Sequence, residues 1–105
     1  MGKPDTKRVD REITKTERKL EAVRRGEWWP LTSRERLAMT RAMASGARSI
    51  HQGRSTNGAE SRMDTIGSAA ETRLTAELSA LYGERQRIVT EYARAKAQKK
   101  SSGWF

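Results

Sequence analysis

Apolar residues recur at helical spacing along the first stretch of the chain. Their spacings of four, seven and three residues fit the a and d positions of a heptad repeat. They are Val9, Ile13, Leu20 and Val23, with the polar Thr16 at the remaining site. A glycine preceded by two arginines follows at position 26, which is a typical end of a helix. The pattern predicts a first helix over about residues 5–25.

A longer heptad pattern lies in the last third of the chain. Every seventh position from 74 to 95 is apolar, and two of these positions are followed four residues later by another apolar residue. These six residues are Leu74, Leu78, Leu81, Ile88, Tyr92 and Ala95. We call the line of these apolar positions the heptad seam. Arg85 occupies a core position and Gly83 lies inside the pattern, so the heptad seam is expected to weaken there. The pattern predicts a helix over about residues 60–99, either continuous or restarted at a second capping box at Ser68.

A shorter helix is predicted between these two. Thr32 followed by Glu35 forms a capping box, which starts a helix at about residue 33. Gly53 is expected to end this helix after residue 52. At about 100° per residue, several apolar side chains share one face, through which we expect the helix to pack. They are Met39, Met43 and Ile50.

These three patterns predict an all-α fold, with one small helical domain over residues 1–105 and flexible tails at 1–4 and 100–105. The first and last helices have compatible apolar periods. This compatibility favours a coiled-coil-like, antiparallel helical hairpin within one chain over pairing of helices between chains. The shorter middle helix is expected to cross that hairpin. A homodimer formed through the longer last helix stays open as an alternative.

The composition adds a second alternative to this picture. Leu, Ile, Val and Phe together number only 14 of 105 residues, and the formal net charge is +9. A low content of bulky apolar residues with a large net charge is typical of disordered chains. Partial disorder therefore stays open, although the heptads argue against it in two regions.

The positive charge favours polyanionic partners, with nucleic acid before anionic lipid. Arginine outnumbers lysine by 15 to 7, and arginine binds phosphate and stacks on bases, although codon usage in a GC-rich genome gives the same bias. No cysteine is present, so no disulfide or thiolate site is expected. No apolar run has the length of a membrane span, and the first residues lack the apolar core of a signal peptide, so a cytoplasmic location is expected.

The candidate nucleic-acid-binding residues lie in the predicted middle helix and its flanks. Arg34, Arg41 and Arg48 are seven residues apart, so they share one face at a spacing of about 10 Å, and Arg54 extends the series. That spacing suits successive phosphates. The preceding turn contains two adjacent tryptophans, one expected to anchor it on the core and the other to stack on a base. They are Trp28 and Trp29. A solvated helix face gives the same charge pattern and stays open as an interpretation.

A third surface is the aromatic end of the chain, Trp104-Phe105, which suits capture in the groove of a protein partner. The sequence contains one histidine, no metal-ligand spacing and no assembled acid–base pair, so neither an enzyme nor a cofactor is expected, nor a small-molecule substrate. The predicted function is that of a small basic accessory protein that binds nucleic acid electrostatically with weak sequence specificity. The alternative is a protein-interaction or assembly module that uses the heptad seam and the aromatic end.

Overall fold

Three α-helices make up the regular structure of residues 3–102. A computed structural model describes residues 3–102, with side chains described up to Lys99. Helix α1 spans Lys7–Arg24, α2 spans Ser33–His51 and α3 spans Asn57–Ser102. No strand occurs within residues 3–102. The predicted all-α fold is therefore confirmed, and α3 packs against both α1 and α2.

The helix ends follow local sequence signals. The Thr32 hydroxyl accepts the backbone N–H of Glu35, and the Glu35 carboxylate accepts the backbone N–H of Thr32, so the predicted capping box forms. Gly26 and Gly53 follow α1 and α2 with φ of 81° and 71°, the left-handed region in which glycine commonly ends a helix. Helix α3 runs without interruption through Gly67. The second capping box therefore lies inside a helix, and the continuous alternative is the correct one.

The chain divides into two compact units, and both α1 and α3 contribute to each. The first unit comprises the described residues up to Glu17 and those from Ala76 onward. The second unit, Arg18–Thr75, contains the whole of α2. The single-domain organisation expected from the length of the chain stays a prediction.

In the first unit, the predicted a and d positions of α1 are buried, and Thr16 is among them with 6% exposure. Val9 and Ile13 are the apolar residues buried beside it. The apolar heptad positions of α3 in this unit are half-buried as far as Tyr92, whereas Ala95 is exposed. The heptad seam therefore fades toward the end of α3, where the described residues from 93 to 99 are all exposed.

Polar contacts join the same two helices in the first unit. The Arg85 guanidinium, at a predicted core position, is instead at the surface, and its Nε donates to Asp10 Oδ1 at 2.9 Å. Arg8 pairs with Glu84, and the Tyr82 hydroxyl donates to Glu17 Oε1 at 2.6 Å. The hydrogen bond to Glu17 raises the pKa of Tyr82. The beginning of α1 thus contacts Glu84 and Arg85 of α3, whereas Glu17, later in α1, contacts Tyr82, which comes earlier in α3. This reversed order agrees with an antiparallel hairpin.

The second unit has a small core where the turn between α1 and α2 meets α2 and α3. Its buried members are Leu31, Met39 and Ala70, and the half-buried side chains packed against them are Val23, Trp28, Met63 and Ile66. Leu74 is completely buried in the same unit. This core holds α2 in place, because α2 contributes Met39 to it.

The predicted packing face of α2 is wrong for two of its three residues. Met39 is buried, but Met43 and Ile50 are 52% and 67% exposed. The face that packs is instead made of small residues, Ala42 and Gly46. A Cβ atom on Gly46 would lie only 3.1 Å from the Cβ atom of Ala59, so the two helix backbones approach closely there. Close approach through small residues turns the bulkier side chains away from the contact.

Candidate nucleic-acid interface

The arginine stripe, which consists of Arg34, Arg41, Arg48 and Arg54, lies on the surface of the second unit. The first three belong to α2, and all four are exposed. Seven residues of α-helix advance by about 10.5 Å and rotate by about −20°, so the three helical arginines stay on one face. Leu37, about half exposed, lies within the same face by helical position. The stripe is therefore a row of cations with apolar surface between them.

The charges of the stripe are not neutralised by the described part of the protein. None of the four arginines forms an ion pair with any residue from 3 to 99. In addition, the 24 residues from Arg36 to Ala59 contain no aspartate or glutamate. Other arginines of the same unit behave differently, since Arg24 pairs with Glu71 at 2.8 Å and Arg25 pairs with Glu27 at 2.8 Å.

The acidic residue next to the stripe in sequence, Glu35, is committed elsewhere. Its carboxylate accepts the Thr32 backbone N–H at 2.8 Å and an Arg73 guanidinium N–H at 3.0 Å. Burial raises the pKa of Glu35, but the hydrogen bond from Thr32 and the charge of Arg73 outweigh it, so the pKa is lowered overall. Glu35 therefore stays ionised at neutral pH. Its charge is paired with Arg73, so it does not neutralise the stripe.

The two adjacent tryptophans have different environments. Trp28 is half-buried and packs against the core of the second unit. Trp29 is 53% exposed, and its indole N–H donates to Glu27 Oε1 at 3.1 Å. The hydrogen bond from Arg25 and that from Trp29 lower the pKa of Glu27 despite partial desolvation. Trp29 thus presents an exposed ring whose polar edge is already hydrogen-bonded.

The structure adds a cation that sequence spacing did not reveal. An open groove of about 370 Å³ separates α2 from the first turns of α3, and Arg41 and Arg62 both line it. Arg62 lies 21 positions after Arg41 in the chain, but α2 ends and α3 begins between them, so helical spacing cannot place the two residues on one surface. Only the short connection from His51 to Asn57 brings the start of α3 back beside α2.

Other candidate chemistry has less support in the part of the chain that is described. His51 is exposed at the end of α2, and residues 3–99 hold no group of three acidic or histidine side chains arranged to bind a metal ion. No helix within the described range is long and apolar enough to cross a membrane. The predicted partner-binding residues Trp104 and Phe105 lie outside the described residues.

Comparison with known proteins gives no relative from which a function could be transferred. No family model matches the sequence, and no curated protein or solved structure matches the chain.

Proposed function

We propose that this protein is a small nucleic-acid-binding accessory protein. It binds through the arginine stripe, with weak sequence specificity, because phosphate contacts position a protein on nucleic acid without reading its bases. The observation that carries the proposal is that four exposed arginines lack ion-pair partners among the described residues and lie in or beside a 24-residue stretch without acidic residues. A cytoplasmic location is part of the same proposal.

The physical reason is the release of counterions. Each phosphate neutralised by an arginine frees condensed cations, which supplies most of the free energy of non-specific binding. An arginine already paired with a carboxylate would first have to lose that partner. The stripe arginines have no such cost, whereas Arg24 and Arg73 do. The Trp29 ring is available to stack on an exposed base near the head of α2.

A double charge reversal tests the assignment of the site. Arg41→Glu with Arg48→Glu should weaken binding to a labelled oligonucleotide by more than tenfold in fluorescence anisotropy, because two phosphate contacts become repulsions. The matched control is Arg87→Glu with Arg94→Glu, two exposed arginines that are also seven residues apart on one helix. Each pair lowers the net charge from +9 to +5, since every reversal changes the charge by −2. Equal losses for both pairs would show that only net charge matters and would overturn the site.

A protein-interaction module is the second candidate. The half-buried heptad positions of α3 and the large apolar side chains exposed on α2, Met43 and Ile50, favour it. Such a surface binds through apolar contact, so its affinity should change little with salt or with reversal of Arg41 and Arg48. This different response separates the two candidates in the same experiment.

A further inference from the structure

The groove between α2 and the start of α3 combines features that neither a solvated surface nor a phosphate contact requires. The less exposed residues of its lining form an apolar floor, because Ala42 is buried and Ala38 and Ile66 are half-buried. Its rim carries two guanidinium groups, Arg41 from α2 and Arg62 from α3. A phosphate alone would need the cations but would gain nothing from the apolar floor. The groove therefore suits a ligand with an anionic part and a flat or apolar part.

The polar groups of the rim are available to such a ligand. Neither Arg41 nor Arg62 has a hydrogen-bond or ion-pair partner among the described residues, and the same is true of the Ser61 hydroxyl. The Thr65 hydroxyl donates to the Ser61 carbonyl at 2.9 Å, so it contributes its oxygen rather than its proton. Guanidinium planes stack on nucleobases, and a hydroxyl can donate to or accept from a base edge.

The length of the groove favours a nucleotide over a docked helix. Its lining covers residues 38–42 of α2 and 61–66 of α3, which correspond to about 6 and 7.5 Å of helix. An amphipathic partner helix anchors through positions i to i+7, which needs about 10.5 Å. One base with its adjacent phosphates fits the shorter length. A paired base inside a duplex cannot enter, because it would first have to leave the stack.

We infer that this groove receives one unpaired base of single-stranded nucleic acid, with the adjacent phosphates bound by Arg41 and Arg62. The inference rests on the proposed function and adds to it a preference for single strands over duplex. The base lies on the apolar floor, and the remaining stripe arginines contact further phosphates of the same strand.

The test compares a labelled oligothymidylate of about 20 nucleotides with an abasic strand of equal length and with a hairpin duplex. The unmodified protein should bind the oligothymidylate about tenfold more tightly than the abasic strand, because only the former has bases to place in the groove and on Trp29. Filling the groove with Ala38→Leu and Ser61→Leu should remove the part of this difference that the groove supplies, without weakening binding to the abasic strand. The matched control is Ala47→Leu with Ser68→Leu, two exposed positions on the same helices outside the groove.

The outcomes separate the groove from the stripe. If the abasic strand binds as tightly as oligothymidylate, or if the groove and control variants behave alike, the groove inference is overturned while the proposed function stands. If the unmodified protein binds none of the three probes at low salt, the proposed function fails and the inference fails with it. Circular dichroism melting verifies that both double variants remain helical, and Ala38→Leu alone serves if the first double variant does not fold.

Discussion

Individual charged residues in this protein fall into two groups by what surrounds them. Arg24, Arg73 and Arg85 each meet a carboxylate, and these contacts link separate helices. The arginine stripe meets none among the described residues, although its members are exposed, as Arg24 and Arg85 are. Exposed ion pairs contribute little to stability, so the paired arginines mainly fix geometry and the unpaired ones are available for a ligand.

Glu35 is the least exposed of the three carboxylates whose pKa is lowered. Its folded pKa lies below the ordinary value of 4.5, so its contribution to stability is fully present above pH 4.5. As the pH falls further, the unfolded chain takes up the proton first, and the contribution is lost as the pH passes the folded pKa. Urea unfolding of the unmodified protein should therefore show stability falling from pH 5 toward pH 3. Glu35→Gln should be less stable at pH 7 and should lose less between those pH values.

The exposed Glu91 provides the control for this experiment, because it has no ion pair with any described residue. Glu91→Gln should reproduce the pH dependence of the unmodified protein. Asp10 should keep part of that dependence in every variant, because the hydrogen bonds from Thr6 and Arg85 lower its pKa as well. Identical pH profiles for Glu35→Gln and the unmodified protein would contradict the assignment.

The helices show how far a sequence of this kind specifies its own structure. Heptad spacing and capping signals predicted all three helices, because apolar periodicity and the Thr32 capping box act within one or two turns. The packing face of α2 was not predictable from bulky side chains. There the contact depends on how closely α2 approaches Ala59, and Gly46 permits an approach that no periodicity records. The presence of Arg41 and Arg62 in one groove was not predicted for the same reason, because it depends on how α3 lies beside α2.

The close contact between α2 and α3 gives a prediction about glycine. Gly67→Ala should stabilise the protein by up to about 1 kcal/mol, because alanine favours helix and a Cβ there meets no atom within 4 Å. Gly46→Ala should gain clearly less or should destabilise, because its Cβ would lie 3.1 Å from that of Ala59. Urea unfolding of both variants measures the difference. An equal gain at both positions would mean that α2 and α3 do not approach as described.

Taken whole, the chain carries a formal charge of +9 on a small helical framework with few bulky apolar residues. The first unit joins α1 and α3 through Val9, Ile13 and a set of polar contacts. The second unit holds α2 and with it the arginine stripe, Trp29 and the groove at Arg62. All the proposed nucleic-acid contacts thus fall within one unit, whose own core fixes α2, the helix that carries most of them.

Binding of the unmodified protein to nucleic acid should be measured across a range of salt concentrations, with labelled duplex and single-stranded probes. Four arginines that neutralise four phosphates should make the logarithm of the affinity fall linearly with the logarithm of salt, with a slope of about −3.6 for duplex and about −2.8 for single strands. Binding should be tight at low salt and should be lost steeply on adding salt. An absence of binding at low salt, or an affinity that salt does not change, would contradict the proposed function and would direct attention to a protein partner.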